Sequence, residues 1–172
     1  VQGCALVMIG GIVRVTGAER QRASTMASLA TSDALTGLEN RRGAEDRLEK
    51  EVDRARRYEQ PLSVVWFDLD RFKQVNDRYG HEVGDRVLKA VATVARRVVR
   101  AHDTVARWGG EEFVVLLPEQ GRAEAMRAAE RLRLAIGSKD LGLAGGERVS
   151  ASFGVAELAP NESATELLRR AD

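Results

Sequence analysis

Four acidic residues lie where strongly apolar segments of the chain begin or end. Asp68 and Asp70 close the apolar run SVVWFDLD, while Glu111 and Glu112 follow a pair of glycines and precede the run FVVLL. A carboxylate at the end of a buried strand is costly unless it is paired or bound to a metal ion. If the two strands are neighbours, Asp68 and Glu111 face one another at the rim of a sheet and offer the hard oxygen ligands that Mg²⁺ or Mn²⁺ prefers. Such an arrangement would suit a two-metal site for nucleotide phosphates, in which one ion activates an attacking hydroxyl group and the other neutralises a triphosphate.

The glycine pair Gly109-Gly110 admits two interpretations. Glycine adopts positive φ and has no side chain to keep a phosphate away from the backbone, which suits a nucleotide site. Gly-Gly also makes an ordinary tight turn, with the glutamates beside it in solvent. The sequence contains no G-x-x-x-x-G-K-[ST] phosphate loop, no G-x-G-x-x-G dinucleotide motif and no G-x-S-x-G nucleophile elbow, so the enzyme classes that depend on them are excluded.

The elements that must position these residues alternate between helices and strands. Asn40 is predicted to cap a helix that runs to about Tyr58, and Pro61 then introduces the apolar strand LSVVWFD. The other predicted elements are a helix over 72–79, a helix over about 85–100, a hairpin of strands TVARW and EEFVVLL, a helix over 123–136, a strand over 148–156 and a helix opened by the capping box Ser163 and Glu166. This order predicts an α/β (α+β) sandwich, with a mixed central β-sheet flanked by helices and the glycine pair on a β-hairpin.

Composition indicates a globular domain of ordinary size. The chain has 172 residues, 44% hydrophobic and 31% charged, and its 27 Lys and Arg residues balance 26 Asp and Glu residues to a net charge of +1. This balance excludes a disordered chain and a polybasic arm, so no DNA or RNA partner is expected. The single cysteine, Cys4, with only His81 and His102 beside it, cannot form an internal disulfide or a structural zinc site, which favours a reducing, cytoplasmic location.

The first 32 residues differ from the rest. Residues 1–18 contain two apolar stretches around Gly10-Gly11, which suit either the end of a transmembrane helix or a β-hairpin. Arg14 interrupts the run too early for a membrane span, so a hairpin is preferred, and it resembles the closing strands of a PAS sensor domain. Residues 19–32 are predicted to form a connecting helix, either a coiled-coil arm or a plain linker. The chain begins with Val1, so it is expected to be part of a longer protein, and membrane attachment upstream of the domain stays open.

Four segments together resemble the GGDEF family of diguanylate cyclases: DALTGLENRR at 33–42, FDLDRFKQVNDRYGHEVGD at 67–85, RWGGEEF at 107–113 and SASFGVA at 150–156. The resemblance covers residues 33–172, and GGEEF is one of the two active-type signatures of the family. It implies a bacterial signalling enzyme that joins two GTP molecules into cyclic di-GMP and releases two pyrophosphates. It also implies a fold similar to the polymerase palm and the adenylate cyclase catalytic domain.

The resemblance implies a role in metal binding or catalysis for each of several residues at the strand ends. It implies that two Mg²⁺ or Mn²⁺ ions per active site are bound by Asp68, the backbone carbonyl of Leu69 and Glu111. Glu111 would also help to activate the 3′-hydroxyl group, and Glu112 would be a further ligand or base. Lys73 would contact phosphate oxygens as part of the catalytic set, although taken alone it is an ordinary surface lysine.

Backbone groups and two polar side chains complete the implied substrate site. The N–H groups of Arg71 and Phe72, near a helix start, would help to bind phosphate, beside the glycine pair. Asn76 and Asp85 resemble the pair that reads guanine, since a carboxylate accepts from guanine N1–H and N2–H₂ together. The alternatives are that Asp85 complements a helix dipole and that Asn76 is a helix-ending turn residue.

A second nucleotide site is implied by Arg100 and Asp103, an R-x-x-D motif that lies five residues before Gly109. In the family this motif binds the product and inhibits the enzyme allosterically, and Arg131 corresponds to an arginine that reaches the same product. A guanidinium group can bind phosphate or the guanine Hoogsteen edge. The alternative is a helix-end ion pair.

The enzyme is preferred over a catalytically silent receptor that binds cyclic di-GMP or GTP, because the site acids and Lys73 are intact. Each domain offers one half-site, so a homodimer is expected, with no membrane contact by the domain itself.

Relatives continue past Arg170-Ala171-Asp172 into a helix whose lysine and arginine approach the triphosphate. The 172 residues are therefore expected to be weakly active or inactive, with lower affinity for GTP.

Overall fold

The computed structural model describes residues 31–140, 143 and 146–172. The predicted sensor-domain tail lies outside the described residues, and so does the predicted connecting helix apart from Thr31 and Ser32. The elements are, in chain order, β1 (Glu39–Asn40), α1 (Arg41–Tyr58), β2 (Leu62–Leu69), α2 (Phe72–Tyr79), α3 (His81–Val98), β3 (Thr104–Gly109), β4 (Glu112–Pro118), α4 (Arg122–Ser138), β5 (Ala151–Glu157) and α5 (Ala164–Ala171). No helix in these ranges is long and apolar enough to cross a membrane.

The five strands form one mixed sheet in the order β1-β3-β4-β2-β5. Strand β2 lies between β4 and β5 and is antiparallel to both, whereas β1 is parallel to β3. Every residue of β2 except Asp68 is buried, as the uninterrupted apolar run predicts for a strand covered on both faces. The predicted mixed sheet, with its hairpin and flanking helices, is confirmed.

Both faces of the sheet are covered by helices. Successive side chains of a strand point to opposite faces, so β2 contributes to two separate cores. Phe67 stacks on Phe113, with ring centroids 5.0 Å apart, in the core under α3 and α4. Trp66 belongs to the other core, under α1 and α5, and meets Trp108 edge to face at 5.0 Å. The carboxyl end of β2, which carries Asp68, is thereby held rigidly from both sides.

Several helix ends follow the predicted signals. Asn40 caps α1 by accepting a hydrogen bond from the Gly43 N–H at 3.0 Å, and Ser163 and Glu166 form the predicted capping box of α5. Helix α3 begins at His81, four residues earlier than predicted. The reason is Gly80, which ends α2 and begins α3 with φ 84° and ψ 161°, a conformation that favours glycine.

Helix α5 lies unusually close to the edge strand β5. A Cβ atom at Gly154 would be 1.8 Å from the carbonyl oxygen of Ala171, so only glycine permits this approach. The glycine of the segment SASFGVA therefore sets the distance between the last described helix and the sheet.

Candidate active site

The acidic residues meet where β2 ends beside β4. In the antiparallel register Asp68 lies directly opposite Glu112 on β4 and opposite Ser152 on β5. Directly opposite side chains point to the same face, with Cβ atoms about 4.5–5.5 Å apart. Glu111 lies in the turn before β4, where its carbonyl oxygen accepts a hydrogen bond from the Leu69 N–H at 3.3 Å. The strands are neighbours as predicted, but the residue facing Asp68 is Glu112 rather than Glu111.

This edge carries negative charge without a cationic partner. Asp68 is exposed, Glu111 and Glu112 are half-buried, and no described side chain forms a hydrogen bond or ion pair with any of the three carboxylates. Within the described ranges no three His, Cys, Asp or Glu side chains form a ready-made metal cluster. The predicted donor set of Asp68, the Leu69 carbonyl and Glu111 still fits Mg²⁺ or Mn²⁺, because such ions are commonly bound by one or two carboxylates with phosphate oxygens and water.

Asp70 has a different environment from Asp68, two residues earlier. Its carboxylate accepts hydrogen bonds from the hydroxyl groups of Ser150 at 2.5 Å and Ser152 at 2.7 Å, and its N–H donates to the Ser150 carbonyl at 2.9 Å. The next residue, Arg71, has φ 56° and is the N-cap residue of α2. Asp70 thus fixes the turn between strand and helix, while Asp68 is left open to solvent. An open cavity of about 750 Å³ adjoins this edge, with both aspartates in its wall.

The glycine turn is held by an arginine that sequence reasoning did not select. Arg107 donates two hydrogen bonds to the carbonyl oxygen of Gly110, from Nε at 2.9 Å and Nη2 at 2.8 Å, and its Nη1 lies 3.3 Å from Asp33. Gly110 has φ 42°, which favours glycine. The turn that presents Glu111 and Glu112 is therefore tied to the segment before β1.

Asp33 is ionised more readily than an ordinary aspartate. Partial burial raises its pKa, but hydrogen bonds from the Thr36 hydroxyl at 2.6 Å and N–H at 2.8 Å, together with the charge of Arg107, outweigh that effect. The net result is a pKa below the ordinary 3.8. Asp33 and Arg107 lie 74 positions apart in the sequence. Both belong to the recognised segments, but only the folded chain reveals that they pair.

The predicted phosphate and guanine ligands lie on α2 and α3. Lys73 and Asn76 are one turn apart on α2, and both Lys73 and Asp85 are exposed without a described side-chain partner. Phe72 is buried, and its N–H belongs to the first turn of α2, where backbone donors lack intrahelical acceptors. The two helices pack against one another, and the Asn76 side chain lies against Gly84, the residue before Asp85.

The structure weakens both alternative explanations of the guanine pair. Because α3 begins at His81, Asp85 lies beyond its first turn, where the acidic residue is Glu82. A helix dipole acts mainly within the first turn, so it does not account for Asp85. Asn76 lies inside α2, which ends at Gly80, so it is not the helix-ending residue.

Arg100 and Asp103 occupy the turn between α3 and β3. Asp103 accepts a hydrogen bond from the backbone N–H of Arg100 at 2.8 Å and another from Nε2 of Gln120 at 2.9 Å. The predicted alternative, a helix-end ion pair, does not form, since the exposed guanidinium group of Arg100 has no described partner. Arg131 is exposed on α4, which packs beside α3. The sequence did not reveal the role of Gln120. It is buried in a loop, where the sequence has no helix or strand periodicity from which burial could be predicted.

Comparison with known proteins identifies the family. The family model described as "Diguanylate cyclase, GGDEF domain" matches residues 30–172, so the chain belongs to the GGDEF-domain family. The response regulator PleD of Caulobacter vibrioides is 42% identical over 148 residues, which are 84% of this chain and 33% of that protein. The diguanylate cyclase DgcP of Pseudomonas aeruginosa is 41% identical over 144 residues, 83% of this chain and 22% of that protein. The chain thus spans a third or less of these two relatives.

Solved structures show the same architecture. The coiled coil and GGDEF domain of DgcB from Caulobacter crescentus, in complex with c-di-GMP, matches with a TM-score of 0.84 at 30% identity, covering 89% of this chain and 82% of that one. The active GGEEF domain of a diguanylate cyclase from Vibrio cholerae matches with a TM-score of 0.74 at 32% identity. The match covers 77% of this chain and 85% of that one. The predicted cyclase-like fold is therefore confirmed.

Proposed function

We propose that residues 33–172 form the catalytic domain of a diguanylate cyclase, which condenses two GTP molecules into cyclic di-GMP and releases two pyrophosphates. The observation that carries this proposal is the edge where Asp68 lies opposite Glu112, with the Leu69 N–H bonded to the Glu111 carbonyl. Three carboxylates without cationic partners suit divalent ions and a triphosphate better than they suit a structural role.

Each polar residue of the site has one role in the proposed reaction. Lys73 and the backbone N–H groups of Arg71 and Phe72 bind phosphate oxygens, beside the open turn at Gly109 and Gly110. When two Mg²⁺ or Mn²⁺ ions are bound by Asp68, the Leu69 carbonyl and Glu111, they supply charge neutralisation of the triphosphate and acidify the attacking hydroxyl group.

In the proposed reaction, each bond that forms between the two nucleotides is matched by one that breaks. The 3′-oxygen of each GTP forms a bond to the α-phosphorus of the other, and the bond from each α-phosphorus to its pyrophosphate breaks, so two phosphodiester bonds form and two pyrophosphates leave. Glu111 and Glu112 are the carboxylates available to accept the proton of the 3′-hydroxyl group. Asn76 and Asp85 hold the guanine base, and the carboxylate of Asp85 takes both N1–H and N2–H₂.

One domain binds one GTP, so turnover needs two domains face to face. A homodimer in which each protomer contributes one half-site satisfies this requirement. Residues 1–18 would be the tail of an upstream sensor domain, and residues 19–32 a connecting helix, either a coiled-coil arm that relays a signal between subunits or a plain linker.

Cyclic di-GMP is proposed to inhibit the enzyme at Arg100 and Asp103, with Arg131 as a further contact. The free guanidinium group of Arg100 and the fixed carboxylate of Asp103 support this assignment. A product molecule held there would stabilise an arrangement in which the two half-sites do not meet. Arg100→Ala should then lower the affinity for cyclic di-GMP, and unchanged affinity would contradict the assignment.

The direct test is incubation with GTP and Mg²⁺, or Mn²⁺ in a parallel reaction, followed by mass spectrometry of the nucleotides. Formation of cyclic di-GMP and pyrophosphate supports the proposal. Binding of cyclic di-GMP without any turnover, both in residues 1–172 and in a chain extended through the helix that follows in relatives, at protein concentrations that allow dimerisation, would overturn it in favour of a silent receptor.

A further inference from the structure

Gly84 lies in α3 where this helix crosses α2, and it is buried. A Cβ atom at this position would be 1.9 Å from Oδ1 of Asn76, 3.0 Å from its Cγ and 3.2 Å from Cζ of Phe72. Real Cβ atoms essentially never come within 3.0 Å of a neighbour. The Asn76 side chain therefore occupies space that exists only because residue 84 is glycine.

The backbone does not require glycine at this position. Gly84 is not among the residues with positive φ, and glycine inside a helix is less stable than alanine. Gly80 is the opposite case, since its φ is 84° and nothing lies within 4 Å of its Cβ position. Gly137 in α4 has neither a positive φ nor a neighbour within 4 Å. Among these three glycines, only Gly84 has a neighbouring side chain in the space that a Cβ atom would occupy.

We propose that Gly84 is a positioning residue that determines where the Asn76 amide lies and, through it, how strongly the site prefers guanine. The part that concerns guanine rests on the function proposed above. Asn76 lies across the turn of α3 that carries Asp85, the next residue after Gly84. An amide and a carboxylate side by side can address one edge of a purine base together.

A methyl group at residue 84 would separate this pair. Relieving a contact of 1.9 Å requires the amide of Asn76 to move by more than 1 Å. Phe72 would need to shift only by a few tenths of an ångström, so Asn76 absorbs most of the change. Guanine would lose its contact with the amide, and the contact with Asp85 would remain.

The experiment is a double-mutant cycle on the full chain with Gly84→Ala, Asn76→Ala and both together, and Gly137→Ala as the matched control. The kinetic readouts are kcat and KM for GTP and for ATP. Gly84→Ala should raise KM for GTP on the order of tenfold with little change in kcat, the loss expected for one neutral hydrogen bond. Asn76→Ala should have a similar effect, and the double variant should be no worse than Asn76→Ala. Gly137→Ala should leave both constants unchanged.

Melting temperature supplies a readout that is independent of turnover. Gly84→Ala should give a lower melting temperature, relative to its own background, in the presence of Asn76 than in the Asn76→Ala chain, where the obstructing amide is gone and only the helix preference of alanine acts. If Gly84→Ala fails to fold, recovery of folding in the double variant supports the proposal. Failure of the double variant to fold would overturn it.

Two further outcomes separate this inference from the proposed function. If neither the wild-type chain nor a chain extended through the helix that follows in relatives makes cyclic di-GMP, the proposed function fails, while the melting temperatures still test the contact between Gly84 and Asn76. If the wild-type chain is active and Gly84→Ala keeps its preference for GTP over ATP, or adds a full loss to that of Asn76→Ala, the inference fails and the proposed function stands.

Discussion

The side-chain amide of Gln120 donates a hydrogen bond to Oδ1 of Asp103 at 2.9 Å, although Gln120 is only 2% exposed. The backbone carbonyl of Gln120 in turn accepts a hydrogen bond from the hydroxyl group of the buried Ser63 at 2.8 Å. Gln120 thus connects the Asp103 carboxylate, through its side chain, to Ser63 of β2, through its backbone carbonyl. The carboxylate of the proposed product-binding site is held in place before any ligand arrives.

Replacing Gln120 by leucine should weaken that site without affecting turnover. The Asp103 carboxylate would keep its bond from the Arg100 N–H and lose the other, so it could turn away from the ligand. We expect affinity for cyclic di-GMP, measured by calorimetry, to fall on the order of tenfold, and initial rates with GTP to stay unchanged. Gln60→Leu, at an exposed position, is the control. Wild-type affinity in Gln120→Leu would show that the amide does not position Asp103 for binding.

Glu111→Gln should abolish turnover and leave the fold intact. The change removes one negative charge from the carboxylate edge and almost no volume, and Glu111 is half-buried without a described partner whose loss could destabilise the chain. Rates of cyclic di-GMP formation and melting temperature are the measurements, with the exposed Glu59→Gln as the control for charge. Near-normal rates in Glu111→Gln would remove this residue from the catalytic set.

Asp85→Ser should weaken the preference for GTP over ATP. A serine hydroxyl group cannot accept from N1–H and N2–H₂ together, whereas it can serve either purine. The ratio of kcat/KM for the two nucleotides should fall, mainly through a lower value for GTP. The exposed Asp77→Ser on α2 is the matched control. An unchanged ratio in Asp85→Ser would mean that guanine is read elsewhere.

The hydrogen bonds from Thr36 to Asp33, together with its ion pair with Arg107, should make stability depend on pH in the acid range. The pKa of Asp33 is lowered in the folded chain, so its carboxylate stabilises the fold above the ordinary value of 3.8, and this contribution is lost as pH falls through the lower folded pKa. Asp33→Asn should therefore lower stability at neutral pH and lose less of it on acidification than the wild-type chain. Urea unfolding at neutral pH and at about pH 3 measures the difference.

The control for this experiment is Asp77→Asn, which makes the same change of charge at an exposed position. Equal acid sensitivity in Asp33→Asn and the wild-type chain would show that the contacts of the Asp33 carboxylate with Thr36 and Arg107 do not contribute. Asp33→Asn also tests the glycine turn, since Arg107, which is bonded to the Gly110 carbonyl, would lose its charged partner before β1.

Elements with local signals could be predicted from the sequence. The predicted bounds of α2 agree with the structure because Phe72 begins its apolar pattern and Gly80 ends it. The predicted start of α3 is wrong because Gly80 is both the C-cap residue of α2 and the N-cap residue of α3. A single glycine between two helical patterns suggests a longer loop than the structure contains. The carboxylates were predicted to meet because the strands that carry them end at the same edge.

The details that position those carboxylates depend on contacts between distant parts of the chain. Glu112 rather than Glu111 faces Asp68, and the register shifts between Arg107 and Gly109 in the adjoining ladder. A shift of one residue changes which side chain is opposite, and hydrophobic patterning does not reveal such an irregularity. The pairing of Gln120 with Asp103 likewise joins two segments that no local pattern connects.

The position of β2 between β4 and β5 has a consequence for the order in which the chain folds. The β3–β4 hairpin joins neighbours in sequence, whereas the bond from Ser152 to Asp70 closes a separation of 82 positions. Contacts between distant residues form slowly because a large loop must first close. In a refolding experiment, the segment with Glu111 and Glu112 should acquire its structure early, and the edge with Asp68 should be completed only when β5 docks. Capacity to bind divalent ions should accordingly be recovered in the last phase of folding.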